Sequence, residues 1–155
     1  MLRISKLTDY ATVILGMLAA DPERQQTAAE IADHTQVAAP TVSKLLKQLQ
    51  RASLVTSVRG LHGGYRLARP AREISAASIL DALEGPVALT ACAGEHSHCG
   101  IEGTCRVGGA WQRVNRAIRQ SLQEITLADL AGLESSTTHF AVFDVKLRNG
   151  IHEIR

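Results

Sequence analysis

The sequence predicts a mainly α fold with a small β wing, arranged as a winged helix-turn-helix plus one long helix. Three observations predict it. Hydrophobic residues make up 45% of the 155-residue chain but aromatics only 3%, so the core is built from Ala, Leu, Ile and Val. Ala and Leu favour helices, whereas a β-sandwich draws more on aromatic and β-branched residues. Two short helical segments joined by a tight turn precede two short strands flanking a glycine-rich turn, the order of helix, turn, helix and wing. The length is that of one ordinary domain.

Each element carries its own signals. Ser5 is placed to cap a first helix from Lys6 to Ala20, in which Tyr10, Val13, Ile14, Met17 and Leu18 recur at helical spacing. Asp21-Pro22 ends it. Thr27, with Glu30 three residues on, forms a capping box that opens a short helix AAEIADHT over residues 28–35. A third helix is expected over residues 40–52, with Pro40 at its start and Val42, Leu45, Leu46 and Leu49 on one face. LVTSVR (54–59) reads as a strand, GLHGG as a tight turn and YRLAR (65–69) as the return strand. Ser75 caps a further helix, residues 77–85, stopped at Gly85-Pro86. An irregular stretch to residue 108 holds all three cysteines. A single long helix is then expected over residues 109–130, with Trp111, Val114, Ile118, Leu122 and Ile125 as one apolar stripe. The tail from Ser135 is weakly patterned, with FAVFDVKL a candidate strand.

Charge is divided along the chain. Residues 1–72 hold ten Lys/Arg against five Asp/Glu, a net +5; residues 73–155 hold seven against ten, a net −3. A basic front half suits contact with a polyanion. The helix over residues 40–52 would enter the major groove of double-stranded DNA. Its apolar face is turned inward, which leaves Thr41, Ser43, Lys44 and Lys47 to bases and phosphates. The wing adds Arg59, His62 and Arg66, and Gly60, Gly63 and Gly64 permit a turn close to the minor groove. A solvated basic surface is the alternative for any single lysine, but basic residues on both contact elements favour DNA. No apolar run approaches the roughly 18 residues of a membrane span. The first ten residues lack the apolar core of a signal peptide, so no membrane contact and a cytoplasmic location are expected.

The cysteines are spaced Cys92-x6-Cys99-x5-Cys105. Clustered thiols in a cytosolic chain point to metal or redox chemistry. Zinc ribbons and thioredoxin-like sites pair their cysteines more closely, and neither pattern is present. The wider spacing suits thiolates wrapped around an iron–sulfur cluster, whose ligands normally number four. One position is left for another residue; zinc, with His96 or His98 as fourth ligand, is the alternative. No orienting acid or oxyanion motif accompanies the thiols, so an enzyme is not expected.

LTDYA (7–11), RGLHGGYRLAR (59–69), ISAASILDALEG (74–85) and the three-cysteine loop together resemble the iron–sulfur-sensing winged-helix transcriptional regulators of the IscR/NsrR type. The resemblance covers roughly residues 1–131 and is nearest to regulators of the SUF cluster-assembly operon. It implies a homodimer with its winged helices outermost and the long helix crossing the partner's copy, hence a dimerisation helix. On that basis residues 1–85 form the DNA-binding domain, 86–108 the cysteine-bearing loop, 109–131 the dimerisation helix and 132–155 the tail. It also implies a 2Fe-2S or 4Fe-4S cluster on Cys92, Cys99 and Cys105. IscR-like members place a histidine three residues after the last cysteine, where this chain has Gly108, which cannot ligate. NsrR-like members use an aspartate of the first helix, supplied by the other protomer, and the matching residue is Asp9; His96 and His98 are the other candidates for the fourth ligand. Asp9 also suits a helix N-terminus for electrostatic reasons alone. The C-x6-C spacing is one longer than the common C-x5-C.

Overall fold

A computed structural model describes residues 4–60, 63–88 and 107–133. The elements are α1 (Lys6–Ala20), α2 (Ala28–Thr35), α3 (Ala39–Arg51), β1 (Val55–Val58), β2 (Gly64–Leu67), a 3-10 turn (Ala71–Glu73), α4 (Ala76–Leu83), α5 (Gly108–Glu124) and α6 (Leu127–Leu130). The expected mainly helical chain with a two-stranded wing is the observed one. The FAVFDVKL segment lies outside the described residues.

The first two helices start and stop where their caps place them. The Ser5 hydroxyl accepts from the Thr8 amide at 3.3 Å. At α2, the Glu30 amide donates to Thr27 Oγ1 at 3.2 Å and the Thr27 amide donates to Glu30 Oε2 at 2.7 Å. Two donors that the helix itself leaves unpaired are thereby satisfied, a contribution of about 1 kcal/mol. α3 starts with Pro40 in its first turn and buries Val42, Leu45, Leu46 and Leu49, the four expected residues. They meet Ile14, Leu15 and Leu18 of α1, Ile31 of α2, and Leu54, Ile74, Ile79 and Leu127 in one core. Val13, expected on the apolar face of α1, is exposed.

β1 and β2 pair antiparallel, with Val55 opposite Leu67, Thr56 opposite Arg66, Ser57 opposite Tyr65 and Val58 opposite Gly64. Val55 and Leu67 turn inward and are buried. A further rung lies beyond the hairpin. The Gln26 amide donates to the Tyr65 carbonyl at 3.0 Å and the Tyr65 amide to the Gln26 carbonyl at 2.8 Å. The α1–α2 connection is thus stitched to the base of the wing.

The single helix expected over residues 109–130 is two helices. α5 stops at Glu124, Ile125 is extended, and Thr126 opens α6 with a capping box to Asp129. The break has a tertiary cause. The Ala76 amide donates to the Ile125 carbonyl at 2.8 Å and the Leu127 amide to the Ile74 carbonyl at 2.7 Å. These bonds fix the α5–α6 junction against the start of α4, and Leu127 and Ala128 are buried as a result.

Candidate nucleic-acid interface

α3 is held by its apolar face, so its opposite side is free to meet a partner. Lys44 and Lys47 are exposed there, and Thr41 and Ser43 are half-buried beside them. Arg59 and Arg66 are exposed on the wing, while His62 lies outside the described residues. The Gln50 amide group donates to Ser57 Oγ at 2.9 Å, which links the last turn of α3 to β1. A side-chain bond therefore joins the end of α3 to the first strand of the wing.

The charge of this surface is one-sided. Residues 39–72 carry seven Lys/Arg and no Asp/Glu. None of the seven forms an ion pair among the described residues; the pairs found there are Arg24–Glu30 and Arg119–Asp81. Three of the seven, Arg51, Arg69 and Arg72, are additional to the residues expected from sequence. Arg51, Arg69 and Arg72 are all exposed. The acid-free run of 34 residues is the signal that points to them.

Asp9 lies in the first turn of α1, exposed, with no hydrogen bond or ion pair to another side chain among the described residues. With Ile4, Ser5 and Lys6 it lines an open hollow of about 570 Å³. Its neighbour Thr8 is only 3% exposed. The Thr8 hydroxyl donates to Glu84 Oε1, as does the Ser5 amide at 3.0 Å. These bonds, the Thr8 hydroxyl first, hold the Glu84 carboxyl below its ordinary value. Cys92, Cys99, Cys105, His96 and His98 lie outside the described residues. Among the described residues no cluster of His, Cys, Asp or Glu is able to hold a metal ion by itself.

Trp111 and Val114 of α5 are 44% and 43% exposed, whereas Ile118 and Leu122 are half-buried. The near end of the apolar stripe is therefore left uncovered by the described residues. No described helix is long and apolar enough to cross a membrane.

A helix-turn-helix with a stitched wing and an uncompensated basic face defines a winged-helix DNA-binding transcriptional regulator. A family model described as Rrf2, iron-dependent transcriptional regulator, matches residues 4–132. The chain belongs to the Rrf2 family. Among solved structures it is similar to CymR (YrzC), the global cysteine regulator of B. subtilis, at 29% identity and TM-score 0.67 over 86% of this chain and 99% of that one. T. potens IscR matches at 30% identity and TM-score 0.64, over 86% and 89% of the two chains. Staphylococcus aureus CymR matches at 30% identity and TM-score 0.61, over 85% and 100%.

Proposed function

We propose that this Rrf2-family regulator binds promoter DNA as a homodimer and senses iron–sulfur cluster status, controlling cluster-assembly (SUF) genes in the cytoplasm. The observation that carries the sensing half is Asp9, an exposed carboxylate without a described partner on the turn that the family resemblance marks as ligand-bearing. The donor set fits: three thiolates of Cys92, Cys99 and Cys105 plus one carboxylate make the four ligands such a cluster takes. A bound cluster supplies a redox- and nitric-oxide-sensitive group whose presence depends on cellular iron and sulfur supply.

The chain's own residues do the rest. Thr41 and Ser43 approach base edges, Lys44, Lys47, Arg59 and Arg66 neutralise phosphates, and His62 offers a hydrogen bond to the DNA from the wing tip. Trp111 and Val114 meet the partner's copy of α5, covering apolar surface that the described residues of one chain leave open. An Asp9 that serves the other protomer's cysteines ties ligand occupancy to the separation of the two α3 helices. A differential of a few kcal/mol between two dimer geometries, on the order of 5 for a near-complete switch, is enough.

Anaerobic purification of wild type and Asp9→Ala, with absorption spectra and promoter-DNA titrations of each, tests this. A brown dimer whose spectrum changes in Asp9→Ala, and whose DNA affinity depends on cluster loading, is expected. Equal DNA binding by loaded and cluster-free protein overturns the sensing role. The likeness to Staphylococcus aureus CymR, whose structure is also solved in an oxidized form, supports a second reading, in which the same cysteines respond to zinc, nitric oxide or thiol oxidation. A colourless, zinc-loaded protein decides for that reading.

A further inference from the structure

Glu84 is the C-cap of α4, and its carboxylate reaches a helix terminus 79 positions earlier in the chain. One oxygen, Oε1, accepts from the backbone amide of Ser5, the N-cap of α1, and from the hydroxyl of Thr8. Ser5 in turn accepts from the Thr8 amide through its hydroxyl and from the Asp9 amide through its carbonyl, at 3.3 and 3.1 Å. The turn that presents Asp9 is therefore closed from inside by Ser5 and from outside by Glu84. A carboxylate is well suited to this place: it receives two donors on one oxygen and faces the positive end of the α1 dipole. The chain leaves Glu84 through Gly85-Pro86 and reaches Cys92 six residues after Pro86. One side chain thus joins the turn bearing Asp9 to the end of α4.

We propose that Glu84 is a positioning residue for Asp9: through Ser5 and Thr8 it holds the first turn of α1 in place, so that the Asp9 carboxylate is held ready to ligate. The inference rests on the reading of Asp9 as fourth ligand. Partners that orient a metal ligand typically change metal retention about 10- to 100-fold when removed.

The test compares wild type, Glu84→Gln, Glu84→Ala, Asp9→Ala and the Glu84→Ala/Asp9→Ala double variant as full-length dimers. In cluster-free protein, Glu84→Ala is expected to raise hydrogen exchange at the Thr8 and Asp9 amides about tenfold by opening the closed turn. In loaded protein it is expected to shift the visible circular dichroism and to speed cluster loss to a chelator about tenfold. Glu84→Gln, which keeps the accepting oxygen, is expected to recover most of that retention. In the Asp9→Ala background Glu84→Ala should add nothing further. An effect of full size in that background marks Glu84 as a structural staple only and overturns the proposal, as does wild-type exchange in cluster-free Glu84→Ala. An Asp9→Ala spectrum identical to wild type overturns the ligand reading itself and the positioning role with it. A changed Asp9→Ala spectrum beside an unaltered Glu84→Ala overturns the positioning role alone.

Discussion

Arg119 of α5 grips Asp81 of α4 in a two-pronged ion pair, Nη1 to Oδ1 at 3.0 Å and Nη2 to Oδ2 at 2.7 Å. The pair fastens α5 to the winged body and so sets the direction in which Trp111 and Val114 are presented. Both side chains are about one-third exposed, at 36% and 30%, so solvent screens the attraction. Asp81→Asn is expected to cost about 0.5–1 kcal/mol in a urea melt at low salt, in the range of partly exposed pairs with good geometry. The difference from wild type should shrink toward zero near 1 M salt, where the screening length falls to roughly 3 Å. A deficit that persists undiminished at high salt would assign the loss to packing instead of charge.

The basic face makes a quantitative prediction about DNA. Removing one phosphate-binding cation lowers the slope of log affinity against log salt by about 0.9. Lys47→Ala, and separately Arg51→Ala and Arg69→Ala, are each expected to reduce the slope by that amount and to weaken all sequences alike. Ser43→Ala should leave the slope unchanged and narrow the gap between specific and random duplex by about 1 kcal/mol. Fluorescence anisotropy over a salt series reads both quantities. An unchanged slope in Arg51→Ala removes it from the interface.

Where the sequence is legible, the physics is local. Ser5 and Thr27 carry their own capping partners within three residues, so α1 and α2 begin where expected. The inward face of α3 follows from spacing alone. The expected long helix overshoots the end of α5 because its apolar stripe runs on to Ile125 at helical spacing. The Thr126-x-x-Asp129 signal is present, but bonding from Ile74 and Ala76, about fifty residues away, is what makes the break necessary. Long-range backbone pairing of the Gln26–Tyr65 kind leaves no mark in either segment's composition. The same holds for Glu84, whose sequence context reads as the end of α4 and nothing more. The acid-free run over residues 39–72 does carry Arg51, Arg69 and Arg72, as charge rather than as motif.

Acid should loosen two of these connections. Glu30 is held below the ordinary carboxyl value of 4.5, first by the Thr27 amide, then by the Thr27 hydroxyl and Arg24. Glu84 is held below it by the Thr8 hydroxyl and the Ser5 amide. The folded state therefore binds fewer protons than the unfolded state over the same window. The stabilisation is complete above pH 4.5 and is lost as pH falls through the lower folded-state values. Denaturation of cluster-free protein at a series of pH values should show stability declining below that point. Glu30→Gln/Glu84→Gln should be less stable at neutral pH and flatter in acid; a parallel decline in the double variant would place the acid sensitivity elsewhere.

The wing depends on a close backbone approach at Gly64. A Cβ there would lie 2.8–2.9 Å from the backbone nitrogen, carbon and oxygen of Gln26. Those atoms belong to the rung that joins the α1–α2 connection to β2, so they have no flexible end to move aside. Gly64→Ala is expected to break the Gln26–Tyr65 pair, destabilise the fold by about 1–3 kcal/mol and lower DNA affinity through a displaced wing. Gly60 offers the contrast: φ is +120° there, and among the described residues nothing lies within 4 Å of the place a methyl group would take. Gly60→Ala should therefore cost backbone strain alone, on the order of 1–3 kcal/mol, confined to the wing turn. Hydrogen exchange separates the two. Gly64→Ala should lose protection at the Gln26 and Tyr65 amides, and Gly60→Ala should keep it. Equal protection at both amides in the two variants would mean that the rung tolerates the methyl group and that the wing is anchored by the Gln50–Ser57 bond instead.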